Sequence, residues 1–228
     1  MRVDVLTLFP EMVTPALTLS ILGRAERAGS WSVGVHNIRD HGRGKHRTVD
    51  DSPYGGGSGM VMRADVVADA IASVRRADSH VILLEASGAP FNQGTARRFT
   101  MFPHLILVCG HYEGVDARVR EHLVDEAISI GDFVLTGGEL AACVVVDAVV
   151  RLLPGALGNA NSTIDESFSA NLLEYPHYTR PREFQGHPVP EVLLSGDHGK
   201  VEAWRKQASE ARTRDLRPDL ADPRPPRG

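Results

Sequence analysis

The chain has 228 residues, of which 42% are hydrophobic, 24% charged and 6% aromatic, and its formal net charge is −4. A chain of this length and composition buries enough apolar surface to fold without disulfides or metals, which excludes disorder as its dominant state. The negative total excludes a positive coat for bulk nucleic-acid binding, though it can hide a local basic patch.

Cys109 and Cys143 sit in apolar surroundings and read as reduced, buried thiols of a cytosolic protein. With no C-x-x-C pair, a cysteine zinc site is out. The N-terminal apolar run is interrupted by Asp4 and Pro10 and reads as neither a signal nor a transit peptide. No stretch approaches the roughly 18 uninterrupted apolar residues of a membrane span.

In chain order, the pattern predicts a strand over 3–9, a helix over 11–28, a strand over 32–38 and a Gly-rich loop to Gly59. A helix over 64–76, a strand over 80–86, a helix over 93–101 and a strand over 104–110 follow. Short β-branched runs separated by helical patterns mark a parallel sheet covered on both faces, hence an α/β fold. Next come a short helix within 111–123, a fifth strand within 126–132, and a long apolar helix over 140–153 that Pro154-Gly155 stops. Residues 158–174 are polar and small with no apolar period, and read as a flexible linker between a domain over 1–157 and a small, mainly helical one over 175–228. In the last domain Val201, Trp204, Ala208 and Ala211 share one helical face. From Lys200 onward eight Lys and Arg stand against five Asp and Glu, a basic balance in an acidic chain.

The common nucleotide fingerprints fail. GGGSGM has no third glycine in dinucleotide register, no Lys precedes Ser or Thr as in a P-loop, and zincin and serine-hydrolase motifs are missing. Attention falls instead on the loops after the third, fourth and fifth strands, where ligands of an open α/β sheet sit. They are Glu85-Ala86-Ser87-Gly88, Gly110-His111-Tyr112-Glu113-Gly114 and the run 130–138. Their glycines suit close backbone approach to a flat ligand and equally suit ordinary turns. Glu113 and Asp116 read as solvated loop acids or, with Asp132 and Glu139, as an acidic wall facing a cation. The stretch 39–57 is dense in Arg, Lys and His and ends near Tyr54, a mix that serves phosphate contacts and base stacking as well as it serves a solvated loop.

Five motifs occur in order along nearly the whole chain: Leu8-Phe9-Pro10-Glu11-Met12, HRTVDDSPYGGGSGM (46–60), LVCGHYEGVDARV (107–119), SIGDFVLTGGEL (129–140) and PHYTRP (176–181). Together they resemble the bacterial TrmD family of tRNA (guanine-N1)-methyltransferases. The resemblance implies a SPOUT-type parallel sheet with a C-terminal trefoil knot, where periodicity alone predicts an unthreaded sheet. It also implies a cytoplasmic homodimer with its active site shared between subunits, and tRNA as partner, methylated at guanine 37 beside the anticodon.

By motif, S-adenosylmethionine is then held by Leu83, Leu84, Glu85, Ser87 and Gly88, by Gly110, Tyr112, Glu113 and Gly114, and by Ser129, Ile130, Gly131, Asp132, Phe133, Val134, Leu135, Gly137 and Gly138. Ala86-Ser87-Gly88 departs from the family's common Pro-Gln-Gly. The family's catalytic base is an Asp just before Ser-Phe, where this chain reads Asp165-Glu166-Ser167-Phe168. Gap-free register from Arg151 puts Glu166 there, with Asp165 one residue earlier. Arg151 matches an Arg that stabilises negative charge on guanine O6, or serves as a helix C-terminal cation. Arg43, Lys45, His46, Arg47 and Tyr54, with Arg212 and Arg214, are the expected tRNA contacts. The resemblance also allows Mg2+, for which the sequence shows no cage.

Overall fold

The structure, a computed structural model, describes residues 1–157, 166–168 and 170–220. The chain divides into two compact units, Met1–Ala160 and Asn161–Gly228. The first runs β1 (Arg2–Thr7), α1 (Pro10–Thr18), α2 (Ser20–Arg27), β2 (Ser32–Asn37), β3 (Asp50–Asp51), β4 (Val61–Met62), α3 (Ala64–Val74), β5 (Ser79–Pro90), α4 (Gln93–Phe99), β6 (His104–Cys109), α5 (Ala117–His122), β7 (Glu126–Ser129) and α6 (Glu139–Val150). β3 and β4 form a small antiparallel ladder, and the other five strands form one parallel sheet in the order β2-β1-β6-β5-β7.

Strand alternation sorts the core into two layers. Ile82, Leu84, Leu105 and Leu107 face a layer built with Val13, Leu17, Phe99 and the buried side of α6, while Val81, Leu83, Ile106 and Val108 face Val66, Val67 and Val119 from α3 and α5. Burial on both faces is why these strands read as continuous apolar runs.

Two expectations need correction. The helix expected over 11–28 is two helices, because Leu19 is extended and Ser20 takes a left-handed φ of 52°. The break shifts the helical phase, so that α1 buries Val13 and Leu17 and α2 buries Leu22 and Ala25, positions that one uninterrupted helix could not aim at the same sheet. The loop to Gly59 is not devoid of pairing, since β3 pairs with β4 and Met62 bridges to Val115. Two-residue strands carry no readable period. Cys109 is buried as expected, whereas Cys143 is only half-buried; both are free thiols.

At the N-terminal edge of the sheet the buried Asp4 gathers three donors. Arg2 pairs with Oδ1 at 2.5 Å, His36 Nε2 donates to the same oxygen at 2.8 Å, and His104 Nε2 donates to Oδ2 at 2.8 Å. Burial alone would raise the carboxyl pKa, but the hydrogen bonds from Arg2, His36 and His104 outweigh it and hold the value below the usual one. A carboxylate with a depressed folded-state pKa stabilises the fold above its unfolded value of about 3.9, and that contribution is lost as pH falls through the lower folded value. Asp4→Asn is therefore expected to cost about 3 kcal/mol at neutral pH by stranding buried donors, and less below about pH 4. Urea melts at pH 7 and in acid check this; an equal loss at both pH values would contradict it.

The second unit contains a hairpin of β8 (Glu183–Phe184) and β9 (His187–Pro188), and the long α7 (His198–Leu216). Gln185 and Gly186 turn the hairpin with φ of 52° and 80°, the pair of positive angles that a tight two-residue turn needs. Asp197 caps α7 by accepting the Lys200 N–H. Val201, Trp204, Ala208 and Ala211 are half-buried on one face of α7, and Thr213 is buried beside them. Part of the stretch read as linker bonds to this helix: the Leu173 N–H donates to Thr213 Oγ1 and the Leu173 carbonyl accepts from Ser209.

Candidate functional site

A cleft of about 320 Å3 opens at the C-terminal ends of β5, β6 and β7, between the three loops singled out in the sequence. Its size falls within the range of small-molecule sites, and its place is where open α/β sheets bind ligands. The first loop is an expelled bulge of β5. Leu84 and Ala89 both register with Ile128 of β7, so residues 85–88 are pushed out toward the cleft. Gly88 makes that possible, because a Cβ there would collide with the Ile128 backbone. The rim is then fixed by side chains: Arg120 donates to Glu85 at 2.6 Å and to Ser87 at 2.9 Å, while Ser87 donates to Glu85.

The second loop turns through Tyr112, whose φ of 60° is unusual for a non-glycine residue, and closes with the Gly114 N–H donating to the His111 carbonyl. The third loop crosses back from β7 and meets the second backbone to backbone. The Gly138 N–H donates to the Gly110 carbonyl at 2.8 Å, and His111 bridges to Gly137. A Cβ on Gly138 would overlap Cys109 Cα, so glycine is what permits the crossing. Phe133, Val134, Leu135 and Tyr112 leave large apolar surfaces exposed around the opening, matched to a flat, partly apolar ligand.

Of the residues expected to hold the donor, the structure brings Leu84, Glu85, Ser87, Gly110, Tyr112, Glu113, Gly114, Ser129, Ile130, Gly131, Phe133, Val134, Leu135, Gly137 and Gly138 into the wall. Three stand elsewhere. Leu83 is buried in the opposite core layer, Gly88 packs on β7, and Asp132 is exposed outside the wall. Ala86, within the segment 83–88 that the resemblance assigns to the donor, lines the cleft, and so do His111, Ile128, Thr136 and Ala141, which are not among the expected contacts. Loop membership was the available signal for Ala86, His111 and Thr136; Ile128 and Ala141 had none.

The acidic wall dissolves into separate roles. Asp116 caps α5 and pairs with Arg118, whose hydrogen bond holds its carboxyl below the usual range despite some burial. Glu139 is buried beneath the cleft and accepts a hydrogen bond from Thr7 at 2.7 Å. Glu113 alone of the four lines the cleft. Burial pushes the Cys109 thiol well up, with the Glu139 and Cys143 charges adding to it, and burial beside Glu139 raises Cys143 too. Neither is an activated nucleophile, which argues against covalent thiol catalysis.

Among the basic residues, Arg43 spans Asp65 and Asp69 on α3, and Arg47 pairs with Asp40, while Lys45, His46 and Tyr54 are exposed. The loop therefore presents less uncompensated positive charge than its sequence suggests. Arg151 follows the last turn of α6, and that helix begins at the cleft, so Arg151 stands roughly 18 Å away along the axis at 1.5 Å per residue. Within one chain the cleft and Arg151 are not brought together. Glu166 belongs to the second unit, where it borders a groove formed with Leu173, Tyr175 and Arg205. Asp165 lies outside the described residues. No group of three or more His, Cys, Asp or Glu side chains converges to hold a metal among the described residues.

A family model described as tRNA (Guanine-1)-methyltransferase TrmD matches residues 1–223. The chain belongs to that family. Among its relatives, a Chloroflexus aggregans protein named tRNA (guanine-N(1)-)-methyltransferase is 57% identical over 96% of this chain and 87% of its own length. Proteins of the same name from Moorella thermoacetica and Brevibacillus brevis are 55% and 53% identical, over 96% and 97% of this chain and 90% and 92% of theirs. The TrmD match spans both units, and the identity is spread over nearly full-length proteins rather than one shared module. No helix among the described residues is long and apolar enough to cross a membrane.

Proposed function

We propose that this chain methylates N1 of guanine 37 in tRNA with S-adenosylmethionine as donor, as a cytoplasmic homodimer. The observation that carries the reading is the cleft itself: three loops distant in sequence, two of them bearing motifs of the family, meet at the ligand-binding end of one parallel sheet. The donor brings an electrophilic methyl group on a positively charged sulfur. The backbone of Gly110, Gly137 and Gly138 lines the cleft, where it can meet a flat purine edge, and the Glu113 carboxylate offsets the positive charge. Glu166, or Asp165 one residue earlier, removes the N1 proton as the N1–carbon bond forms and the carbon–sulfur bond breaks. Arg151 balances the negative charge that moves onto guanine O6.

The distance of Arg151 from its own cleft supports a shared site. On α6, Leu140, Val144, Asp147 and Arg151 follow one helical stripe, with Leu140 and Val144 exposed at 55% and 48%. Met12 of the adjoining α1 and Leu19, the residue after it, add exposed apolar surface. Two α6 helices meeting antiparallel about a two-fold axis would cover this stripe and carry the partner's Arg151 to the start of α6, where the cleft lies. The return of the chain from edge strand β7 across the ends of β5 and β6 supports a trefoil knot. On this reading residues 1–157 hold the donor and 175–228 grip tRNA with Arg212 and Arg214. Arg43, Lys45, His46, Arg47 and Tyr54 contact the same RNA from the first domain.

Gly110 offers the sharpest test of the donor site. A Cβ there would meet only Leu84 O at 3.4 Å and Val115 Cγ2 at 3.6 Å, ordinary contacts, so the backbone accepts a side chain at this position of the cleft wall, and the branched methyls of Gly110→Val are expected to take space from the ligand. Equilibrium dialysis with labelled S-adenosylmethionine should show at least about tenfold weaker binding with an unchanged melting temperature. Wild-type affinity in this variant would place the donor elsewhere.

A further inference from the structure

Beneath the cleft lies a polar circuit that the reaction does not use directly. Thr7, fully buried at the end of β1, donates from Oγ1 to Glu139 Oε1 at 2.7 Å and accepts the Phe9 N–H at 2.9 Å. The Phe9 ring packs on the His111 ring with centroids 5.0 Å apart. His111 Nδ1 is buried and has no hydrogen-bond partner. A Cβ on Gly137 would collide with both Glu139 Oε2 and His111 Nδ1, so these two atoms crowd the same point. That point lies where the loops 110–114 and 130–138 are bridged through His111 and Gly137.

A buried carboxylate at the first turn of α6 is favoured by the helix dipole, yet it needs more than one hydrogen bond to justify its loss of water. A buried imidazole nitrogen without a partner is likewise costly. The His111 nitrogen lacks a partner, and the Glu139 oxygen that crowds the same point can supply one. We infer that Glu139 is a positioning residue: Thr7 aims its carboxylate, and His111 Nδ1–H donates to Oε2 when the donor draws the two loops together. Thr7 and Glu139 are absent from the cleft wall, so they act on donor affinity through His111 and the loop backbones. The inference rests on the cleft being the donor site.

Calorimetric titration with S-adenosylmethionine, and steady-state kinetics with tRNA, test it in four variants. Thr7→Val removes the hydroxyl and Thr7→Ser keeps it; His111→Leu removes the ring nitrogen and His111→Asn restores a donor at the Nδ1 position. The circuit requires about tenfold weaker donor binding and a matching rise in donor KM for Thr7→Val and His111→Leu. It requires Thr7→Ser to stay within about twofold of wild type, His111→Asn to bind the donor more tightly than His111→Leu, and kcat to hold at saturating donor in both Thr7 variants. A core that merely tolerates a polar pair would lose melting temperature without this KM-only pattern. Equal donor affinity across all four variants, with the wild type binding, overturns the inference alone. Failure of the wild type to bind the donor overturns the functional reading and this inference with it. Should Thr7→Val not fold, the His111 pair on the half-buried loop decides the matter.

Discussion

Glu166→Gln is expected to slow methyl transfer by about 10²–10⁴-fold while donor affinity stays at the wild-type level. The amide is nearly isosteric with the carboxylate and keeps an acceptor oxygen, but it cannot take the N1 proton at neutral pH. Guanine N1 attacks only as its proton leaves, so removing the base raises the barrier of the chemical step and leaves the donor cleft, built on the first unit, intact. Asp165→Asn is expected to stay within about threefold of wild type, since gap-free register from Arg151 points to the later residue. Single-turnover assays with saturating donor separate the two. Loss confined to Asp165→Asn would move the base by one residue, and full activity in both would remove carboxylate catalysis by this segment.

The second large effect concerns which chain supplies Arg151. On the proposed homodimer, Arg151→Ala is expected to lose about 10²–10³-fold in turnover, the usual cost of deleting a group that stabilises developing charge. Gly110→Val should be close to inactive at donor concentrations well below its weakened affinity. When the two variants are dissociated, mixed equally and reassembled, half of the dimers pair unlike chains. If Arg151 works across the two-fold axis, each mixed dimer holds one complete site: the open cleft of the Arg151→Ala chain served by the Arg151 of the Gly110→Val chain. Activity should recover to about a quarter of wild type. If Arg151 served its own chain's cleft, no mixed dimer would hold a complete site and activity would stay at the level of the parents. The helix length between Glu139 and Arg151 favours recovery, because an arginine side chain cannot span it.

The parts of the fold that followed from sequence are those where burial imposes a period. Val81 to Leu84 and Leu105 to Val108 alternate between two apolar layers, which leaves an unbroken apolar run that only a doubly covered strand explains. The break at Leu19 is not legible in the pattern because the apolar residues on either side each fit a helix locally; only the direction of the sheet reveals the change of phase. The bulge at residues 85–88 is likewise hidden, since its cause is the pairing of both Leu84 and Ala89 with Ile128 of β7, far along the chain.

For the site, composition offered glycine-rich loops and no more. The resemblance added which loops belong together, and the structure shows why. Gly110 and Gly138 touch backbone to backbone, and neither spacing nor propensity records a contact across 28 residues of chain. Charge was the least legible quantity. Arg43 looks like a phosphate ligand in sequence, but Asp65 and Asp69 on α3 engage it, and Glu139 looks like a cleft acid while the Thr7 hydroxyl holds it underneath. In each case the partner is remote in sequence and the pairing depends on the fold.

The most direct measurement is the identity of the modified nucleoside. Unmodified tRNA with guanine at position 37, and the same tRNA with adenine there, are incubated with the protein and S-adenosylmethionine, then digested and analysed by mass spectrometry. The account predicts 1-methylguanosine from the first tRNA, located at position 37, and no methylated product from the second. A methyl group on a ribose hydroxyl, on another base, or equally on both tRNAs would contradict it.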